Sequence, residues 1–369
     1  MGHRKHNAPR RGSLAFYPRA RHGLLVPRVR NWVMLGGDRP MLAGFPAFKV
    51  GMIHAIVVDD REKTPNFGKP TFNPATVVSL PDIHVYGVRA YTRIEGAERL
   101  LCDLFADELD EAASKRISQS SSISDSKGEK GKEQSSKTSD RIKKTEKFEK
   151  LLPQATRLAM IIGVVPSEAG LSTDRPQVEE VPLVGGKGIQ HQYEYAKQIL
   201  GKTVRAAEFL KPGSFVDAIA VTKGKGFEGP VTRFGVKRKQ HKSRKSVRAV
   251  GVISPWHPAT VMYTVPRAGQ MGFHQRIALN NRVLFVGNTS QTRITPPGGF
   301  EHFGEVRGDF AVLKGSIPGP PKRFVDLRLP LNPRKGKIKE PRIIELNIAG
   351  QTIRQLVAVP IYQEQKAKT

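Results

Sequence analysis

The stretch Phe215-Val-Asp-Ala-Ile-Ala-Val-Thr-Lys-Gly-Lys-Gly-Phe-Glu-Gly229 joins a β-strand pattern directly to a glycine-rich basic segment. Its first part, Phe215–Thr222, carries valine, isoleucine and alanine between turn signals, as strands do. Three glycines at 224, 226 and 229 follow, and such glycines interrupt a strand pattern. We therefore predict a strand that leaves a β-rich body as a long excursion, which returns near Arg282–Gly287.

The excursion is strongly basic. Residues 223–248 contain ten lysines and arginines and one acidic residue, Glu228, whereas exposed segments usually mix both signs. The far end contains Trp256 between Pro255 and Pro258. A tryptophan at a basic tip favours a wedge or stacking contact with nucleic acid. The alternative is a tryptophan folded back on the core of the protein.

The N-terminal segment is also basic, because no carboxylate precedes Asp38. Pro9, Pro18 and Pro27 make a long helix or strand unfavourable there. Composition alone is compatible with a disordered, solvated tail. The aromatic residues Phe16, Tyr17 and Trp32 favour the other interpretation, an extended arm that becomes ordered against phosphates.

The rest of the chain reads as a series of short strands between glycine and proline turns, which predicts a barrel or a sandwich. The predicted strands are Phe48–Val58, Asp82–Tyr91, Leu158–Val165, Phe215–Thr222, Val283–Val286, Phe310–Lys314, Phe324–Leu329, Ile343–Ile348 and Gln355–Tyr362. In Phe324–Leu329 apolar and charged residues alternate. Leucine spacing predicts an amphipathic helix over Ala97–Ala113, and Gly188–Gly201 is a second candidate. Ser114–Lys150 is predicted to be a mobile low-complexity insertion or a loosely held helical pair.

Composition limits the class of protein. The 369 residues contain 61 Lys and Arg against 33 Asp and Glu, a net charge of +28, which indicates a polyanionic partner. A single cysteine, Cys102, excludes an intramolecular disulfide and suits a reducing compartment. No apolar run is long enough for a membrane helix, and the N-terminus has no signal-peptide core. We expect a soluble intracellular protein.

Enzyme motifs fail on their context. Residues 224–229 read G-x-G-x-x-G, but Pro230 follows instead of a helix start, and Ala249 stands where a dinucleotide site needs an acid. Gly201-Lys-Thr203 lacks the upstream glycine of a P-loop. Cys102 fits a buried structural thiol. We predict no catalytic residue, metal site or cofactor. Two rivals stay open at this point: a nucleic-acid-modifying enzyme with a basic channel, and a free RNA chaperone or translation factor.

Several motifs together resemble one family. Leu210, Asp217, Ala220, Thr222, Gly224-Lys-Gly226, Gly229 and Arg233 fit, at every spacing, the signature of the universal large-subunit ribosomal protein L-three family. The start, Gly2-His-Arg-Lys-His-Asn-Ala-Pro-Arg-Arg-Gly-Ser-Leu14, is similar to its archaeal and eukaryotic branch. Trp256-His-Pro-Ala259, Arg267–Arg276 and Pro297–Phe300 also resemble that branch. The resemblance covers most of the chain outside Ser114–Lys150.

The resemblance implies a mainly β fold with α additions: a closed six-stranded β-barrel of translation-protein type, with a basic N-terminal extension, a helical insertion and a long basic central loop. The implied segments are an N-terminal extension (1–37), the first part of the barrel (38–95), an insertion (96–205) with low complexity at 114–150 and a strand at 156–166, a barrel strand (206–223), the central loop (224–282) and the remaining strands (283–369).

The implied function is that of a structural constituent of the large ribosomal subunit, cytoplasmic and present once per ribosome, with no small-molecule substrate and no membrane partner. It binds 23S-type ribosomal RNA and neighbouring large-subunit proteins and supports early assembly. The central loop reaches toward the peptidyl-transferase centre and the corridor for aminoacyl-tRNA, with Trp256 at its tip. Eukaryotic relatives modify a histidine twelve residues before this tryptophan, but Arg244 stands there and His241 only nearby.

The site residues follow from charge and from the resemblance. Those predicted to contact ribosomal RNA are Arg4, Lys5, Arg10, Arg11, Arg19, Arg21, Lys223, Lys225, Arg233, Lys237, Arg238, Lys239, His241, Lys242, Arg244, Lys245, Arg248, Trp256, His257, Arg267, Gln270, His274 and Arg276. Gly224, Gly226 and Gly229 are predicted to let the backbone approach the RNA closely.

Overall fold

The computed structural model describes residues 9–33, 37–106, 145–244, 246–333, 340–348 and 351–354. Its strands are β1 (Met41–Leu42), β2 (Gly44–Val58), β3 (Pro70–Leu80), β4 (Ile83–Ile94), β5 (Ala97–Phe105), β6 (Arg157–Val164), β7 (Gln177–Val184), β8 (Thr203–Val204), β9 (Phe215–Val221), β10 (Phe227–Glu228), β11 (Gly269–Gln270), β12 (Gln275–Asn288), β13 (Asp309–Lys314), β14 (Phe324–Arg328), β15 (Ile343–Ile348) and β16 (Gln351–Arg354).

Helices are few. They are α1 (described over residues 145–151), α2 (Ile189–Ile199), α3 (Ala206–Phe209) and α4 (Pro230–Phe234), with single 3-10 turns at Leu14–Phe16, Leu152–Gln154 and Pro166–Ala169. The described chain is therefore mainly β, as predicted. None of its helices is long and apolar enough to cross a membrane, within the residues described.

Contacts divide the chain into two units, each described by itself. The arm–loop unit comprises residues 1–25 and 221–276. The body comprises residues 26–220 and 277–369 and contains nearly all of the sheet structure.

One sheet of eight strands has the order β14-β9-β12-β13-β3-β2-β15-β16. β14 pairs with β9 on one side and with β2 on the other, from Phe324 opposite Phe48 to Arg328 opposite Gly44. The first part of β2 is buried on both faces, whereas its second part alternates.

The other large sheet, of six strands, has the order β1-β7-β6-β4-β5, with β8 alongside β4. Both sheets contribute to one apolar cluster, for example Val85 and Met160 from this sheet and Phe45 and Val312 from the eight-stranded one. Burial of this shared core is the main stabilising term available to the body.

β3 was not among the predicted strands, because Pro70 and Pro74 interrupt its pattern. Both prolines lie in the part of β3 that pairs with β2 alone, while Ala75–Leu80 also pairs with β13. Proline lacks an N–H donor and is tolerated where a strand has one free side. The prolines therefore mark a sheet edge here.

The predicted helix over Ala97–Ala113 is wrong for Ala97–Phe105, which forms strand β5. β5 pairs with β4, from Ala97 opposite Ile94 to Phe105 opposite Gly87. Glu95 and Gly96 have φ values of 52° and 81° and join the two strands in a two-residue turn. Positive φ at both positions suits the right-handed twist of a hairpin. Cys102 accordingly lies on a strand, half-buried, and burial raises the pKa of its thiol.

Most other predicted elements are confirmed with shifted ends. The helix over Gly188–Gly201 is α2, and the strand at Val283–Val286 extends to the whole of β12. β7 was missed, since two glutamates and a proline obscure its pattern. The predicted strand Gln355–Tyr362 and residues 114–144 lie outside the described residues.

β14 alternates as its sequence predicts, but both of its faces are buried. Arg328 and Asp217 form an ion pair at 3.0 Å, with both side chains 1% exposed. Asp326 lies 3% exposed, in hydrogen-bonding contact with Glu179 of β7. Burial raises the pKa of Glu179 to about 7, and burial with the neighbouring Glu179 charge holds the pKa of Asp326 well above its usual range. One shared proton satisfies such a carboxyl pair.

Candidate nucleic-acid interface

The described part of the arm, residues 9–25, has an irregular backbone apart from the 3-10 turn at Leu14–Phe16. It is hydrogen-bonded to the central loop at several points. The His22 amide donates to the Phe273 carbonyl at 2.8 Å, and His274 Nδ1 lies 2.8 Å from the Ala20 carbonyl. Arg10 Nη2 donates to the Thr264 carbonyl at 2.7 Å. The arm and the loop thus form one folded unit.

Arginine–aromatic contacts reinforce this packing. The Arg19 Cζ lies 4.1 Å from the centroid of the Phe234 ring, and the Arg233 Cζ lies 5.1 Å from the same centroid. The Tyr17 ring packs against Phe234 and edge-on against Tyr263, with centroid distances of 6.4 and 5.9 Å. Cation–π contacts of this kind stabilise by about 0.5–1 kcal/mol when exposed and more when desolvated.

Main-chain carbonyls accept the remaining arginine hydrogen bonds. Arg19 Nη1 donates to the Arg233 carbonyl at 3.0 Å. Arg233 itself donates to the carbonyls of Gln270 and Arg267 at 3.0 and 3.1 Å. Arg276 donates to the Gln275 carbonyl at 2.8 Å, and its Cζ lies 4.7 Å from the Phe16 centroid. Neutral acceptors hold these side chains, so their positive charges remain uncompensated.

Like charge accumulates at this junction. Burial, followed by the neighbouring Arg19 charge, lowers the pKa of Arg233 and of Arg276. Burial also lowers the pKa of His274, with further lowering by the nearby arginines, against a hydrogen bond to Ala20 that raises it. This lowering favours the neutral form of the His274 imidazole. A bound phosphate would relieve the repulsion among the guanidinium groups.

The loop begins in a two-stranded ribbon that we define as residues 223–228 and 269–273. The Lys225 amide donates to the Met271 carbonyl and the Met271 amide to the Gly226 carbonyl, both at 2.9 Å. Gly272 has a φ of +74°, and a Cβ at this position would lie 2.2 Å from the Lys223 carbonyl oxygen. Close pairing therefore requires glycine at 272.

The ribbon exposes its basic strand. Residues 223–227 are all exposed, so the side chains of Lys223 and Lys225 face solvent. Gly226 has a φ of +67°, which requires glycine for conformational reasons, and nothing lies within 4 Å of a Cβ built there. A Cβ at Gly229 would also meet open space.

Beyond α4 the loop is irregular and exposed. Residues 237–242, Arg244 and Arg248 are exposed, and the Lys239 amide donates to the Val247 carbonyl at 3.0 Å. At the far end Trp256 is 89% exposed, and its ring contacts only that of the adjacent His257 within the described residues. The alternative of a tryptophan folded on the core is wrong for this conformation.

The whole arm–loop unit contains 18 lysines and arginines and one acidic residue, Glu228. It therefore carries +17 of the chain's net charge of +28 in 81 residues. None of its described cations is paired with a carboxylate. No group of three or more potential metal-ligating side chains is found among the described residues.

The family model for ribosomal protein L3 matches residues 1–353 of the chain. The chain belongs to the ribosomal protein L3 family. It is 41% identical to the large ribosomal subunit protein uL3 of Methanocaldococcus jannaschii, over 94% of this chain and 98% of the relative. It is 39% identical to the uL3 proteins of Methanococcus vannielii and Pyrobaculum aerophilum, over 93% and 95% of this chain and 97% and 99% of those relatives.

Family membership confirms the resemblance found in the sequence. As a member of the L3 family the chain is a structural constituent of the large ribosomal subunit, which is cytoplasmic in archaea. These three relatives are archaeal, in agreement with the archaeal and eukaryotic branch that the N-terminal motif resembles. The family is one of ribosomal proteins, which are structural components of the ribosome.

Within this L3-family chain the predicted RNA contacts divide into two groups. Arg19, Arg233, Gln270, His274 and Arg276 meet at the arm–loop junction, where each also has a main-chain partner inside the protein. The remaining described ones are exposed along the arm, the ribbon and the loop: Arg10, Arg11, Arg21, Lys223, Lys225, Lys237, Arg238, Lys239, His241, Lys242, Arg244, Arg248, Trp256, His257 and Arg267. Arg4, Lys5 and Lys245 lie outside the described residues.

Some residues of this unit were not predicted from the sequence. Phe234 and Tyr263 anchor the arm, and Phe227 is 79% exposed beside Lys225. An aromatic residue within a glycine–lysine run was the available signal for Phe227. Trp32, by contrast, belongs to the body, where it packs against the apolar cluster and covers Gly44.

Proposed function

We propose that this chain binds large-subunit ribosomal RNA directly through the arm–loop unit. The observation that carries the proposal is that this unit contains 18 lysines and arginines but only one acidic residue, Glu228. The arginines that are held within the unit donate hydrogen bonds to carbonyls or lie over aromatic rings, so their positive charge is retained. Neutralising RNA phosphates releases condensed counterions, and this release drives binding at low and moderate salt.

We further propose that the body contains a closed β-barrel. Six strands are neighbours in the sheet in the order β2, β3, β13, β12, β9 and β14. The additional pairing of β14 with β2 supports their closure into a six-stranded barrel of translation-protein type. The domain limits given above, one copy per ribosome and contacts with neighbouring large-subunit proteins are parts of the same proposal.

An irregular backbone suits the arm and the loop to RNA. Outside the short β10–β11 ribbon and α4, the described residues of this unit form neither a strand ladder nor a long helix, so these parts are narrow enough to pass between RNA helices. We propose that their order helps RNA segments come together early in subunit assembly. Deleting residues 1–25 should then lower the yield of large subunits in a complemented strain, and a normal yield would contradict this role.

The tip carries the second part of the proposal, an approach to the peptidyl-transferase centre. The exposure of Trp256 supports a contact outside the chain. Trp256→Ala should leave assembly intact while changing aminoacyl-tRNA accommodation or sensitivity to peptidyl-transferase antibiotics in purified ribosomes. Unchanged rates and drug sensitivity would contradict this location for the tip.

Salt dependence tests the RNA-binding proposal most directly. The full chain would be titrated with 23S-type ribosomal RNA across a range of salt concentrations. A triple variant, Lys237→Gln/Arg238→Gln/Lys239→Gln, should weaken binding and reduce the slope of log K against log salt by about 2 to 3, because each lost phosphate contact contributes roughly 0.7–0.9.

A matched triple variant controls for net charge. Lys63→Gln/Lys187→Gln/Lys202→Gln removes three exposed lysines of the body. If both triple variants changed the slope equally, RNA binding would depend on total charge, and the arm–loop unit would have no special role.

A further inference from the structure

Phe227 is an exposed aromatic side chain on a rigid basic ribbon. It lies on β10 opposite Gln270 of β11 and is 79% exposed. The other strongly exposed aromatics of the arm–loop unit each contact a neighbouring ring, Tyr263 that of Tyr17 and Trp256 that of His257. No aromatic ring or guanidinium among the described residues stacks on Phe227.

The ribbon fixes the position of this ring. Backbone hydrogen bonds join residues 223–226 to residues 271–273, and the absence of a Cβ at Gly272 permits their close approach. The Gln270 side chain donates back to the Gly272 carbonyl at 3.0 Å. A partner that covers Phe227 therefore meets a preformed surface, and little backbone entropy is lost on binding.

Charge around Phe227 decides between classes of partner. Lys223 and Lys225 are exposed on the same short segment, and Glu228 is the single acid of the unit. An apolar patch on another protein would have to desolvate these ammonium groups. A nucleotide instead presents a flat π face between phosphates that attract them. The surface therefore fits RNA.

We propose that Phe227 is a stacking platform for one unpaired RNA nucleotide, with Lys223 and Lys225 binding the adjacent phosphates. A base inside a duplex has both faces covered by its neighbours, so only a bulged, looped or extruded base can stack on this ring. The inference rests on the proposed binding of ribosomal RNA and adds to it a preference for unpaired nucleotides at a defined position.

The test uses the full chain and two RNA hairpins of equal length. One has a single bulged 2-aminopurine, and the other is fully paired. Wild-type protein should prefer the bulged hairpin and quench its fluorescence. Phe227→Ala should lose about 5- to 150-fold in affinity for the bulged hairpin, the range that stacking on one base supplies. Binding of Phe227→Ala to the paired hairpin and its salt slope should stay unchanged, and Phe227→Trp should retain the preference.

Matched variants separate stacking from charge. Lys225→Gln should weaken both hairpins alike and lower the salt slope by roughly 0.7–0.9. The inference is overturned if Phe227→Ala keeps the preference, if it loses both hairpins equally, or if Trp256→Ala removes the preference instead. A wild-type chain that binds neither hairpin in a salt-dependent way would overturn the proposed function itself.

Discussion

Asp217→Asn should destabilise the body although it replaces only one carboxylate oxygen with an NH2 group. In the wild type Asp217 Oδ1 accepts from the Asn280 amide at 2.8 Å, and Oδ2 accepts from the Leu331 amide at 3.2 Å. Oδ2 also lies 3.0 Å from Nη2 of Arg328. The side chain therefore links three segments of the body.

The magnitude follows from burial. Both side chains of the Asp217–Arg328 pair are 1% exposed, so water cannot replace the lost carboxylate. Removing one partner of a buried pair costs about 3–5 kcal/mol, because the other charge is left uncompensated. The asparagine amide group adds a donor where three donors already converge. We expect a loss of about 3–5 kcal/mol in the free energy of unfolding.

Urea unfolding of the full chain, followed by circular dichroism, measures this loss. Asp174→Asn is the matched control, because Asp174 is exposed and should change stability by less than about 0.5 kcal/mol. The double variant Asp217→Asn/Arg328→Met should recover most of the loss, since removing a buried pair together is often nearly neutral.

Two results would refute this reasoning. A loss below about 1 kcal/mol for Asp217→Asn would mean that the pair contributes no more than a surface ion pair does. A double variant as unstable as the sum of the two single variants would mean that Asp217 and Arg328 act independently.

Three further predictions concern protons, backbone and arm. Because burial raises the pKa of Glu179 to about 7, the free energy of unfolding should fall as pH rises from about 4.5 to 7, where only the unfolded chain releases this proton. Glu179→Gln should remove about 1–3 kcal/mol of that fall, as measured by urea unfolding at a series of pH values. A variant with the same pH profile as the wild type would contradict this prediction. Gly272→Ala should open the ribbon, because the added Cβ would collide with the Lys223 carbonyl oxygen. Amide hydrogen exchange at Lys225 and Met271 should then become at least tenfold faster. Unchanged exchange rates would show that the ribbon tolerates a side chain at this position. Arg19→Ala should make the arm easier for trypsin to cleave, while the melting temperature of the body stays the same. Cleavage of the arm at the wild-type rate would show that the Arg19 side chain does not hold the arm in place.

The sequence predicts the β class and the segregation of charge, because both depend on local composition. It fails at β5, where Leu100, Leu101 and Leu104 have a spacing compatible with a helix. The decisive signal was the two-residue turn at Glu95 and Gly96, which directs the chain back along β4. Pairing with an existing strand overrides a local helical pattern of this strength. The turn residues Glu95 and Gly96 are therefore a better indicator of this hairpin than the spacing of the leucines.

The arm–loop junction shows a different limit of sequence reasoning. Prolines and missing carboxylates predict an extended basic arm, but its partners lie far away along the chain, as with Arg19 and the Arg233 carbonyl. Carbonyl acceptors carry no sequence signal, because every residue has one. Aromatic residues gave a partial signal: Phe16 and Tyr17 belong to the junction, whereas Trp32 belongs to the body core.

The choice of neutral partners explains how the unit can be ordered and remain a strong polycation. Carboxylates opposite Arg19, Arg233 and Arg276 would hold these side chains more strongly, but each would cancel one positive charge. Carbonyls and aromatic rings fix the guanidinium groups and leave their charge intact. Burial, followed by repulsion from Arg19, lowers the pKa of Arg233 and Arg276. Phosphate binding would remove that repulsion, so the arrangement that weakens the free unit would strengthen the proposed complex with RNA.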